Sequence, residues 1–363
     1  MGEKLEPGEI EAAEVVLPCA ELEPTLAFFT ERLGFRIALV YPAEAPAVAV
    51  IAGHGLRLRL DPAATGGPGL LRLLCRDPAA IAGGSSELVA PNGTRVQLVA
   101  SDPPLRLPPL QPSFVLTRLA DGSWSSGRAG MLYRDLIPDR QGGRFIASHI
   151  RIPDGGAVPD YVHSHRVRFQ MIYCFRGWVR VVYEDQGSAF VLHPGDAALQ
   201  PPRIRHRVLE CSAGLEVIEV SCPAEHETLA DFDLRLPTPD RHPGRDFDGQ
   251  RFVRHEAARA AFEPWSVQGF EARDLGIGAG TAGFATAHVV RRSTDAALGK
   301  NAASHDAALL FSFVLAGSAS LLRAGEDEGL VSAGDAFVIP AGCPYALHAA
   351  SADFERLVVS VAT

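Results

Sequence analysis

The chain has 363 residues, 47% hydrophobic and 21% charged, with 35 glycines, 27 prolines and a net charge of −9. That balance excludes a disordered or fibrous chain, and no Lys/Arg cluster offers a phosphate backbone a footing, so nucleic acid is not an expected partner. No apolar run approaches the roughly 18 residues of a membrane helix, and MGEKLEPGEIEAAE is too acidic for a signal peptide; the expectation is a cytoplasmic protein with no membrane partner.

The length allows two or three domains, each with its own core, and the glycine and proline content favours β structure with tight turns. EVVLPCAELEPTLAFFTERLGFRIALVY reads as strand, helix, strand. Helical spacing runs from Leu26 to Leu33 after Glu23 and Pro24, and Gly34 stops the helix. AVAVIAG and LRLRLDP follow as strands, then LLRLLCRDPAAIAGGSSELVA, too short for a second full set, then APNGTRVQLV as a turn and strand. This order resembles the βαβββ module of the glyoxalase and extradiol-dioxygenase superfamily, with the second module abbreviated. Glu14 stands where that family often has a ligand histidine, but the next ligand position offers arginines and Gln97 replaces the last-strand glutamate. A packing or dimerisation module without metal is expected there, with an anion pocket through Arg57 or Arg59 as an alternative. The prolines of SDPPLRLPPLQP, residues 101–112, mark a linker.

Residues 113–225 show short β-type runs broken by PDRQGG, PDGG, EDQG and HPGD. Residues 226–262 read as a connecting segment in which RHEAARAAFEPW suits a short helix, and 263–363 as a last β-rich unit. The two β-rich parts repeat a phrase. LHPGDAALQPPRIRH and VSAGDAFVIPAGCPY share Gly-Asp, an apolar run and a proline in register, as do FQMIYCFRG and LLFSFVLAG.

Within the first copy, VHSHRVRFQ puts His163 and His165 on one strand face, because side chains alternate. Gln170 and the later His206 complete a candidate set of three imidazoles and an amide oxygen, which suits Fe(II), Ni(II), Mn(II) or Zn(II). These stretches resemble the paired motifs of the cupin superfamily. His163, His165, Gln170 and Gly177 fit the first motif, and Gly195, Pro201 and His206 the second. Gln170 stands where the family usually has glutamate, and Arg203 where it has glycine. An amide leaves the ion its full dipositive charge, which shifts weight from oxidative towards Lewis-acid chemistry. In the second copy Ala303, His305, Leu310 and Tyr345 fall at the ligand positions, so it is read as a barrel without metal.

Tyr161 shares the strand parity of the histidine pair and Glu210 is in phase with His206, which makes them candidate catalytic groups. His149 is read as a satisfied interior or surface histidine, with the cavity as the alternative. Cys19, Cys75, Cys174, Cys211, Cys222 and Cys343 form no CxxC pair and are expected as reduced, mostly buried thiols.

The fold expected is therefore mainly β: an abbreviated glyoxalase-like α+β domain at 1–100, then two cupin barrels, one of them metal-binding. The resemblance implies a metal-dependent enzyme on a small oxygenated molecule, with oxygen-dependent cleavage leading, a redox-neutral isomerase or lyase as its rival and a non-catalytic binder as the other class. A homodimer is the expected assembly.

Overall fold

The computed structural model describes residues 12–127, 130–293 and 302–363. The chain divides after Pro104, within the proline-rich stretch, into two compact units. Residues 101–114 form neither helix nor strand, since prolines lack the amide hydrogen both require.

In the first unit, Val15–Pro18 leads through the helix Leu22–Ala27 and a π turn at Phe28–Arg32 into Arg36–Tyr41, Val48–Gly53 and Leu56–Asp61. Val15–Pro18 runs parallel to Leu56–Asp61, and the other neighbours are antiparallel, giving a βαβββ unit. Phe29, Leu33 and Phe35 pack on Ile51, Leu58 and Leu60 to form its core. Residues 70–100 repeat this with one strand fewer: Leu70–Cys75, a helical turn Pro78–Ala82, Glu87–Val89 and Arg95–Ala100. The proposed anion pocket is corrected. Arg57 pairs with Glu14 and Arg59 with Asp61, both at 3.0 Å, so those guanidiniums are already matched.

The second unit holds two β-sandwich barrels. The first sets a sheet of Ile146–Ile152, Phe169–Arg176, Ala197–Leu199 and Leu215–Cys222 against one of His163–His165, Val179–Tyr183, Phe190–Leu192 and His206–Cys211. The second repeats the plan with Ala285–Arg292, Leu309–Ala316, Ala336–Ile339 and Glu355–Val361 against Ser318–Arg323, Glu326–Ser332 and Tyr345–His348. Phe169, Met171 and Tyr173 join Phe311, Phe313, Leu357 and Val359 in one core shared by the barrels, while Ile172 and Cys174 face the first barrel's interior. These strands are thus buried on both faces, which explains their unbroken apolar character. Gly177 (φ +70°) and Gly317 (φ +63°) close them; a Cβ there would lie 2.4 Å from Ser212 Oγ and Ser351 Oγ respectively.

The barrels also exchange strands. Val115–Thr117, ahead of the first barrel, pairs with Ala336–Ile339 of the second. Val253–His255, ahead of the second, pairs with Ala197–Leu199 of the first. The repeated Gly-Asp clips both: Asp335 accepts from Leu119 N at 2.8 Å, and Asp196 from Ala257 N at 2.7 Å. The helix expected in RHEAARAAFEPW is corrected to the end of that exchanged strand and a 3₁₀ turn at Ala257–Arg259, because pairing to an open sheet edge outweighs weak local propensity.

The six cysteines are free, four of them buried. No helix among the described residues is long and apolar enough to cross a membrane.

Candidate metal centre

His163 lies directly opposite His206 across two antiparallel strands, and His165 follows on the same face. The ring centroids are 4.4 Å apart for His163–His206, 5.0 Å for His163–His165 and 5.3 Å for His165–His206. One ligating atom of each histidine lies within 4.8 Å of the others, the only such group found among the described residues. Each Nδ1 is engaged: His163 with Tyr161 O at 2.8 Å, His206 with Ile204 O at 3.0 Å, and His165 with Thr228 Oγ1 at 3.0 Å. Asp160 adds a buried carboxylate 3.5 Å from His163 Nδ1. Anchoring Nδ1 fixes the ring and makes Nε2 the ligating nitrogen.

Gln170 is 1% exposed and lies on the sheet facing the histidine strands, opposite Ser221, and it is not among the residues that line the cavity at the triad. Alternation with Ile172 and Cys174 turns its side chain into the barrel. Its Nε2 has no hydrogen-bond partner, nor has Ser221 Oγ. A buried amide left unsatisfied costs about 1–3 kcal/mol, which a group bound beside it would recover.

The histidines end a cavity of about 80 Å³ whose walls are mostly aliphatic, among them Ile150, Ile152, Ile172, Val181 and Val217. Four polar side chains also line it: Glu219, Tyr133, Gln200 and Tyr183, with Gln200 Nε2 donating to the Tyr183 phenol at 2.9 Å. Burial pushes the Tyr183 phenol far above its ordinary range, against the smaller effect of that hydrogen bond, so it stays protonated.

The candidate catalytic residues are corrected. Glu210 does not face the cavity: Arg180 pairs with Glu210 but Val181 with Val208, so Leu209 is the extra residue of a β-bulge. The bulge reverses alternation after Val208, and Glu210 sits outside in an ion pair with Arg180 at 3.0 Å. Tyr161 precedes the strand, is 40% exposed and packs against Phe232 over a separate surface groove. Its carbonyl holds His163 Nδ1 and its ring packs edge-on against the His163 ring at 5.9 Å, while its hydroxyl is not among the groups that line the cavity. His149 lies between the barrels, with Nε2 2.6 Å from Glu216 and Nδ1 3.2 Å from Arg134. Sequence reasoning missed Thr228 and Glu219. Thr228 comes from the supposed connecting segment, and Glu219 alternates with apolar Ile218 and Val220 in LEVIEVSC, which is the sequence signal for an interior carboxylate.

The second barrel shows what the first has gained. Ala303 and Tyr345 face one another there as His163 and His206 do here, and His305 Nε2 is engaged with Ile339 O at 3.0 Å.

No family model and no curated protein matches the sequence. Solved structures do resemble it. A mutant of Bacillus subtilis oxalate decarboxylase is 11% identical, with a TM-score of 0.51 over 68% of this chain and 77% of that one. Protein Ylba from E. coli is 14% identical, with a TM-score of 0.52 over 71% and 94%. A further oxalate decarboxylase structure, from work on its Mn(II) centers, is 12% identical with a TM-score of 0.50 over 68% and 77%. At such identity the likeness concerns the fold, and with the repeated barrels it establishes a mainly β, two-barrel cupin architecture.

Proposed function

We propose that this is a mononuclear metal-dependent enzyme acting on a small oxygenated organic molecule, with His163, His165, His206 and Gln170 as ligands. The observation that carries the reading is the convergence of three imidazoles, each anchored through Nδ1, in a largely apolar cavity. Borderline divalent ions suit such nitrogen and amide donors, and Fe(II), Ni(II), Mn(II) or Zn(II) held there supplies Lewis acidity and, for the redox-active ions, an electron.

Glu219 is the one carboxylate lining the cavity. It is placed to take a proton from a substrate hydroxyl or an activated C–H, and the aliphatic walls keep bulk water from competing. Gln200, fixed by Tyr183, orients a substrate oxygen. A cavity of about 80 Å³ suits a small substrate. A resident base favours a redox-neutral lyase or isomerase. Oxygen-dependent cleavage is the second reading, supported by the apolar walls, which admit a small uncharged gas.

Turnover of a panel of 2-hydroxy acids, 2-oxo acids and catechols under air and under argon tests the choice. Equal rates in both support proton-transfer chemistry; activity confined to air supports cleavage by oxygen. Metal below about a tenth of an equivalent per chain, with no effect of His206→Ala, would leave a non-catalytic binder. The first unit we read as a glyoxalase-like packing or dimerisation module, to be tested by the oligomeric state of the intact chain.

A further inference from the structure

The second barrel lacks the histidines, yet its interior is not apolar. Arg356 is 4% exposed and lines a cavity of about 20 Å³ with Ala303, Tyr345, Phe270 and Val267. Ala303 and Tyr345 mark this cavity as the counterpart of the metal centre. The strands register alike: Arg356 lies opposite Val314 as Val217 lies opposite Cys174, and Val358 opposite Ser312 as Glu219 lies opposite Ile172. One barrel therefore places a carboxylate inside, and the other a guanidinium.

Nη1 of Arg356 donates to the buried Ser312 Oγ at 2.9 Å, and its Nε has no partner. Tyr345 is its other side-chain hydrogen-bond partner and the Phe337 ring lies 5.9 Å away, but no carboxylate pairs with it among the described residues, and Glu355, next along the strand, points to the opposite face. A buried charge without a counter-charge is strongly destabilising, and a guanidinium's planar donors match a carboxylate or a similar oxyanion.

We propose that the second barrel is an anion site, in which Arg356, Ser312 and Tyr345 take a small monovalent oxyanion or carboxylate of about formate size. The cavity holds one or two water-sized groups by volume, which sets that limit (roughly 10–15 Å³ each). Where the first barrel neutralises its interior with a cation, the second does so with an anion. This does not depend on the reaction proposed above.

The test is thermal unfolding of the intact protein against formate, at constant ionic strength balanced with gluconate, for wild type, Arg356→Met and Tyr345→Phe. Wild type is expected to gain roughly 5 °C at formate a hundred times its Kd. Arg356→Met should lose that dependence and, in formate-free buffer, melt no lower than wild type. Tyr345→Phe should need about tenfold more formate for the same shift. A flat wild-type response overturns the proposal, as does an undiminished response in Arg356→Met, which would place the anion at the metal centre. If Arg356→Met does not fold, an unchanged formate requirement in Tyr345→Phe overturns it.

Discussion

Thr228 and His165 meet through a 3.0 Å contact between Oγ1 and Nδ1, although 63 residues separate them. The strand Thr228–Ala230 pairs with His163–His165, so the sheet edge that carries two of the proposed ligands is closed by a segment from beyond the barrel. Support for a metal ligand by its outer partner is worth about 10–100-fold in affinity. Thr228→Val is expected to weaken the metal by that factor without unfolding the protein, measured by competition with a chromophoric chelator. His206→Ala should remove it.

Gln170→Glu exchanges a neutral donor for an anionic one in the same space. The added charge should tighten a divalent ion by about tenfold or more and lower the potential of a redox-active one. Unchanged affinity and unchanged potential would count against Gln170 as a ligand.

Glu219→Gln keeps the cavity's shape and removes the proposed base. The expected outcome is a kcat lower by about 10²–10⁴, with metal content unchanged, determined by steady-state kinetics beside elemental analysis.

Arg203 occupies a left-handed conformation, φ +61°, at the motif position where the cupin pattern carries glycine. The position is used because its backbone N–H donates to His165 O at 3.0 Å, tying the loop before His206 to the histidine strand. Arg203→Gly should relieve about 1 kcal/mol of strain and raise Tm by a few degrees.

Between the barrels, Glu216 ends 6% exposed. Burial raises its pKa, but hydrogen bonding from His149 and the charges of His149, Arg151 and Arg176 outweigh that and bring it from 4.5 to about 2. A carboxyl depressed in the folded state stabilises fully above its unfolded pKa and loses that contribution as pH falls through the folded value. Denaturant titrations should therefore show the stability gap between wild type and Glu216→Gln shrinking as pH drops from about 4.5 to 2.

The amino-acid order determined the linker, the repeated barrels and three histidines that the structure brings together, because spacing along a strand dictates which side chains share a face. His163 and His165 share a face by alternation alone, whereas His206, with four strands between, is legible through the resemblance of its stretch to the second cupin motif. Alternation failed at Glu210, since a bulge is set by pairing with the neighbouring strand and leaves no local mark. Only the tertiary structure decided that Val115–Thr117 and Val253–His255 cross to the opposite barrel, because an open sheet edge selects its partner by proximity, not by sequence. It likewise decided that Glu219 and Arg356 face interiors, where desolvation turns ordinary polar side chains into groups that need a proton or an ion beside them, and that Thr228 reaches His165 from an exposed edge strand.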